Sequence, residues 1–242
     1  MLHTCYPHVV LVRHAQSEWN REGRFTGWAN PPLTAQGVAE ARAAGRRLAA
    51  AGHRFDHGFS SRLGRARHTL DLILGEIGQP ALPVNSDWRL NERHYGALQG
   101  RVREEEAGRV GADQVLRWRR GYADPPPLLP MDDPRHPAHE PLYADVPRRL
   151  LPRGESLAQT RARVAGFWRE AVAPRLEAGE RILIASHGNT LRALLMELEG
   201  MSIKQVESFE IPTGEPILYA FDSKARPMGW CYLPEATQPS AA

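Results

Sequence analysis

Residues 8–20 read His-Val-Val-Leu-Val-Arg-His-Ala-Gln-Ser-Glu-Trp-Asn, and an apolar run, Val9 to Val12, breaks abruptly into Arg13 and His14. A short run this rich in β-branched residues reads as a buried strand. The polar pair cannot continue that strand through a core. It is expected at the strand's carboxyl end, where open α/β sheets place their ligand crevices. Arginine can fork onto a phosphate, and histidine can attack one. The expectation is that His14 accepts a phosphoryl group while Arg13 holds it. The plainer alternative is a strand capped by two solvated polar residues, and this stretch alone does not choose between them.

The same pattern recurs where Ile182-Leu183-Ile184-Ala185 breaks into Ser186-His187-Gly188-Asn189, with a helix predicted from Thr190 to about Glu199. Two strands of one direction would deliver His14 and His187 to the same sheet edge. Between them, Thr34 is a predicted N-cap for a helix to about Ala51, with Gly52 as its stop. Residues 55–60 read as a short strand, 62–77 as a helix ended by Gly78, and 83–85 as a brief strand. Residues 88–100 look irregular, and short helices are expected near 102–108 and 112–121. A long helix is expected over 155–176, kinked or ended early by Pro174. Residues 217–221 and 228–233 read as closing strands. The alternation argues for one α/β domain over residues 1–233: a three-layer sandwich with a central, mainly parallel sheet flanked by helices.

Prolines recur from Tyr122 to Pro152 and no periodicity survives there. A segment of that length is more than a connector. Charged helices flank it rather than complete domains, so it reads as an ordered excursion covering a site. Residues 234–242 are small and polar and are expected to form a short mobile tail.

At 242 residues, 42% hydrophobic and 24% charged, the composition is ordinary for a globular protein. No apolar run approaches a membrane span, and the first residues lack a secretory pattern. Cys5 and Cys231 are too few for a disulfide framework and lack metal-ligand spacing. A reducing, cytoplasmic setting without membrane association is the expectation. Net charge is +3 and the pI about 9.1, mild for a nucleic-acid binder. Trp19, Trp28 and Trp118 lack the basic interleaving of a nucleic-acid platform, so no nucleic-acid partner is expected. Lysine occurs only at Lys204 and Lys224, so nearly all basic residues are arginine. A lone arginine is therefore weak evidence of function, and Arg42, Arg46 and Arg47 read as a solvated helix face. His136, His139 and Glu140 resemble metal ligands in kind, but sit in a Pro-rich loop, and no metal is expected.

Phosphoryl transfer is mostly positioning plus electrostatic stabilisation of the charge on the equatorial oxygens. Arg13, Arg65 and His187 supply positive charge, and N–H groups at the start of the helix near Thr190 would add donors. Each well-placed donor is worth roughly 10²–10³ in rate. A histidine nucleophile needs one ring nitrogen free and the other donating to a carbonyl or carboxylate. A general acid and base must also serve the leaving oxygen. Glu92, within Leu90 to Gly96, is the best candidate. On spacing alone it fits a surface carboxylate paired with Arg93 better.

The chain closely resembles the cofactor-dependent phosphoglycerate mutases of the histidine phosphatase superfamily, from about Val9 to Leu233. The match includes Leu11-Val12-Arg13-His14, Trp19-Asn20 and Arg24-Phe25-Thr26-Gly27-Trp28, then the block from Leu90 through Gly100. It continues with Trp118-Arg119-Arg120-Gly121, Gly154-Glu155-Ser156-Leu157, Ser186 through Asn189, Leu191 through Leu194, and Ile211-Pro212-Thr213-Gly214. The resemblance implies His14 as the phosphohistidine, with Arg13, Arg65 and His187 around the transferring group and Asn20 beside them. It implies Glu92 as proton donor and acceptor. Ser17, Thr26, Gly27, Arg93, Tyr95, Arg103, Arg119, Arg120, Gly188 and Asn189 would contact the substrate. The Pro-rich stretch would form part of the site's rim. The implied activity is interconversion of 2-phosphoglycerate and 3-phosphoglycerate, a small phosphorylated carboxylic acid, primed by 2,3-bisphosphoglycerate without a metal. A homodimer or homotetramer is implied as well. Ala15 stands where the family commonly has glycine, Gln16 where it has glutamate, and Arg103 where it has lysine. The rivals are a phosphatase of the same superfamily and a non-catalytic binder of phosphoryl ligands.

Overall fold

Six strands form one sheet in the computed structural model, which describes residues 8–234. They are β1 (His8–Arg13), β2 (His57–Ser60), β3 (Val84–Ser86), β4 (Ile182–Ser186), β5 (Pro216–Phe221) and β6 (Pro227–Tyr232), in the order β3-β2-β4-β1-β5-β6. Only β5 runs against the others, so the sheet is mainly parallel. The helices in chain order are α1 (Glu18–Arg21), α2 (Ala35–Ala50), α3 (Gly64–Glu76), α4 (Arg103–Val110) and α5 (Ala112–Arg120). They continue with α6 (Leu157–Phe167), α7 (Ala173–Glu177), α8 (Gly188–Glu199) and α9 (Ile203–Ser208).

The middles of the two central strands, Val9 to Val12 and Ile182 to Ala185, are apolar on both faces because helices cover both faces of the sheet. Alternate side chains take opposite faces. Val9, Leu11, Ile182 and Ile184 pack against Leu157, Val164, Leu191, Leu194 and Leu195 of α6 and α8. Val10, Val12, Leu183 and Ala185 pack against Ala44, Leu48, Leu70 and Ile73 of α2 and α3. The result is the expected three-layer α/β architecture.

Several boundaries differ from the sequence expectation. The helix expected from 155 to 176 is two pieces, α6 and α7, joined by a π-helical turn over Trp168–Val172. Pro174 thus falls in the first turn of α7, where its missing N–H costs least. α8 begins at Gly188, with His187 as its N-cap, two residues before the expected start. The short helices α1 and α9 escape periodicity altogether; capping boxes at Ser17 with Asn20 and at Ser202 with Gln205 hold them. Arg47 is not a solvated residue. It donates to Glu215 at 2.8 Å and to the Leu233 carbonyl, while Arg42 and Arg46 face Glu76.

The Pro-rich stretch is ordered, but it buttresses rather than covers. Tyr143, Val146 and Leu151 pack with Trp28 and Leu63. The Pro127 carbonyl accepts from Ala97 N at 2.8 Å. Gly96 has φ +53°, and a Cβ there would lie 2.2 Å from that carbonyl oxygen, so only glycine fits. No helix among the described residues is long and apolar enough to cross a membrane. The expected tail beyond Pro234, and Cys5, lie outside the described residues.

Candidate active site

β1 and β4 are parallel neighbours, with Arg13 opposite Ser186, so the residues that follow each strand emerge side by side. The His14 and His187 rings meet edge to face, their centroids 4.9 Å apart. His14 Nδ1 donates to the Ala15 carbonyl at 2.8 Å, and Arg65 Nε donates to His14 Nε2 at 3.2 Å. Nε2 is therefore the unprotonated nitrogen, the pinned arrangement a nucleophilic imidazole needs. Burial, then the positive charges of Arg65 and Arg13, hold His14 well below the usual histidine range. His187 is depressed in the same way, by burial, Arg65 and His14. Its Nε2 meets Ser61 Oγ at 2.7 Å, and its buried Nδ1 has no hydrogen-bond partner among the described residues. Ala15 is absent from the positive-φ residues, so it occupies its place without strain, and its N–H donates to Thr69 Oγ1 at 3.1 Å. Gln16 points to the start of α2, where Thr34 Oγ1 donates to its Oε1 at 2.8 Å.

Two arginines flank the histidines. Arg65 is fully buried and held by the Ala29 carbonyl at 2.7 Å and the Gly27 carbonyl at 2.9 Å. Burial lowers its pKa to about 10. Arg13 donates to the Ile211 carbonyl at 2.7 Å, while its buried Nε has no hydrogen-bond partner among the described residues. Gly188 lies so close that a Cβ would sit 3.3 Å from that Nε. The first turn of α8 adds backbone donors beside the same group.

Glu92 is buried at this helix terminus and is not a surface partner of Arg93. Its Oε1 accepts from Arg93 N at 2.8 Å and from Asn189 N at 3.2 Å. Its backbone carbonyl accepts from Trp28 Nε1 at 2.6 Å and from Arg163 at 2.9 Å. The Arg93 guanidinium turns away to the carbonyls of Gly121 and Arg119 and lies over the Tyr95 ring. Asn189 Nδ2 donates to the Tyr95 hydroxyl at 3.2 Å.

These groups open into one cleft. Of the sequence-predicted residues, Arg13, His14, Asn20, Thr26, Gly27, Arg65, Glu92, Tyr95, Arg103, Arg119, Arg120, Gly188 and Asn189 line it. Arg103 Nε is anchored to the Gly23 carbonyl at 2.7 Å, and Arg120 donates to the Phe209 carbonyl at 3.2 Å. Three predicted residues stand outside the lining. Ser17 caps α1, Arg93 supports Tyr95 and the end of α5, and His187 stands against the His14 ring. No residue of 122–152 lines the cleft, so the Pro-rich stretch supports its wall instead of forming its rim. Sequence reasoning assigned no role to Arg24, Phe25, Arg192, Glu210 or Ile211, which also line it. Arg192 had a findable signal, since it lies one helical turn after Asn189, whose Oδ1 it holds at 2.9 Å. His94 is structural: buried, accepting from Gly96 N at 3.0 Å, and pushed down to about 3 by its surroundings, chiefly burial.

Solved structures with this fold include an α-ribazole phosphatase from Shigella flexneri, 24% identical, covering 90% of this chain and 92% of its own, with a TM-score of 0.66. A mycobacterial glucosyl-3-phosphoglycerate phosphatase is 21% identical over 93% and 97%, with a TM-score of 0.69. A phosphoglycerate mutase from Bacillus anthracis is 18% identical over 93% and 91%, with a TM-score of 0.67. At these identities the likeness shows the fold alone. The sequence pattern of one family matches residues 9–227, and the chain belongs to it: the histidine phosphatase superfamily, branch 1.

Proposed function

We propose that the protein is a phosphoglycerate mutase, transferring a phosphoryl group through His14 between the 2- and 3-positions of a phosphoglycerate. The observation that carries this reading is a second set of arginines, Arg103, Arg119 and Arg120, in the same cleft as His14, Arg13 and Arg65. A substrate with one phosphate needs only the set around His14. A second set suits a ligand with a further anionic group, here a carboxylate or second phosphate. The dense block from Leu90 through Gly100 and the Trp118 to Gly121 block support the same choice.

In this reading, Nε2 of His14 attacks the phosphorus while Nδ1 keeps its proton on the Ala15 carbonyl. Arg13, Arg65, His187 and the first turn of α8 stabilise the equatorial oxygens. Glu92 gives a proton to the leaving oxygen and takes one back on return. The unpartnered buried Arg13 Nε, with the two arginine sets, fits the anionic groups of 2,3-bisphosphoglycerate. When bound, that primer would supply the first phosphoryl group. The positive charge comes from side chains, and the mechanism calls on no metal. A cytoplasmic setting and a homodimer or homotetramer belong to the same proposal.

A phosphatase of the superfamily is the second reading, favoured by the solved structures named for α-ribazole phosphatase and glucosyl-3-phosphoglycerate phosphatase. Water would then take the phosphoryl group from His14. One experiment separates the two. The protein is incubated with 3-phosphoglycerate and chelator, with and without trace 2,3-bisphosphoglycerate. Primer-dependent formation of 2-phosphoglycerate is expected. Free phosphate as the main product would replace the mutase with the phosphatase.

A further inference from the structure

The cleft wall holds one carboxylate that the phosphoryl chemistry does not use. Glu210 lies on the loop between α9 and β5 and, with Glu92, is one of two acidic residues among the described residues that line a cleft otherwise rich in arginine. Its carboxylate pairs with Arg120, one of the three arginines assigned to the substrate's second anionic end. The side chain is 67% exposed while that of Arg120 is 20% exposed. An exposed partner is displaced cheaply, because water already competes for it. A half-buried guanidinium, by contrast, is costly to leave without a counter-charge.

The loop also fixes Arg120 independently of the carboxylate. The Phe209 carbonyl accepts from Arg120 at 3.2 Å, and Arg192 reaches the Arg120 backbone carbonyl at 3.4 Å. The next residue, Ile211, holds Arg13 through its own carbonyl. Arg120 therefore keeps its position when Glu210 lets go.

We infer that Glu210 is a built-in competitor for the substrate's second anionic group, occupying Arg120 in the free enzyme and yielding it on binding. The inference rests on the proposal of a two-ended anionic substrate. It makes Glu210 a specificity determinant. A ligand with an anionic distal end replaces the carboxylate charge for charge, whereas a ligand with a neutral end leaves the Glu210–Arg120 pair in place and gains nothing there.

Calorimetric binding of 3-phosphoglycerate at low salt tests it, with the unaltered protein, Glu210→Gln, Arg120→Gln and the double variant. Glu210→Gln is expected to bind roughly 2- to 5-fold more tightly, the range of an exposed ion pair. The gain should fall on KM in turnover assays, shrink at high salt, and vanish in the Arg120→Gln background. Inorganic phosphate, which has no second end, should gain less. Equal affinity of Glu210→Gln and the unaltered protein overturns the inference while leaving the mutase proposal intact. So does a gain that survives Arg120→Gln, or an equal gain for inorganic phosphate. Failure of both Glu210→Gln and the unaltered protein to bind 3-phosphoglycerate overturns the substrate proposal and this inference together.

Discussion

The proton on His14 Nδ1 is committed to the Ala15 carbonyl, and that single hydrogen bond decides which nitrogen can attack. Arg65 confirms the assignment from the other side, since its Nε–H needs an acceptor and finds Nε2. A burial-depressed pKa keeps the ring neutral at ordinary pH, so no proton must be removed before attack. His187 has the same environment, yet its Nε2 is taken up by Ser61. The two histidines thus hold different roles despite equivalent strand-end positions. His14→Ala is expected to abolish acid-labile phosphoryl labelling of the protein, measured with a radiolabelled phosphoryl donor. A persistent label would place the nucleophile on another residue.

At the scale of elements, α6 reaches under the loop that carries Glu92. Arg163, on α6, donates to the carbonyls of Arg89 at 2.7 Å and Glu92 at 2.9 Å. Its charge is matched by Glu155 at 2.7 Å, and both side chains are almost wholly buried. Glu155 in turn accepts from His94 N at 2.8 Å. The opposite side of the loop is tied to β4 and α8, where Ser186 and Thr190 hydroxyls donate to the Leu90 and Asn91 carbonyls. A loop without regular structure is held rigid in this way, and Glu92 stays against the N-terminus of α8. Arg163→Met should cost about 3–5 kcal/mol in denaturant unfolding, because it strands a buried carboxylate. It should also lower kcat, as Glu92 loses a support. A cost under about 1 kcal/mol would mean that the pair neither stabilises nor positions, the level of a surface bridge.

The whole molecule buries several neutral histidines around one arginine-rich centre, and this couples stability to pH. His94, His14 and His187 all have folded pKa values below the ordinary 6.5. Above about 6.5 both folded and unfolded forms are neutral and these groups contribute nothing. Below it, the unfolded chain takes up protons that the folded chain refuses, so stability falls as pH falls. For His94 this loss continues down toward about 3. Each such group contributes about 1.4 kcal/mol per pH unit across its window. His94→Asn should flatten the fall in unfolding free energy between pH 6 and 4 by about that slope. An unchanged slope would show that His94 titrates normally in the fold. The sequence alone determined the layers of this fold, since the continuous apolar runs Val9 to Val12 and Ile182 to Ala185 require helices on both faces, and it placed His14 and His187 at strand ends. It also made legible thirteen residues that now line one cleft, all but Arg65 and Arg103 lying in the motif blocks. The path of the irregular segments was not legible, because the Leu90 to Gly100 loop and the Pro-rich stretch are shaped by long-range hydrogen bonds rather than by periodicity. Only the tertiary structure decided the tautomer of His14, the burial of Glu92 away from the Arg93 guanidinium, the supporting place of the Pro-rich stretch, and the pairing of Arg120 with Glu210. Each depends on which backbone or charged groups packing brings within about 3 Å, whether a chain neighbour such as Ala15 or a distant residue such as Arg65 or Asn189.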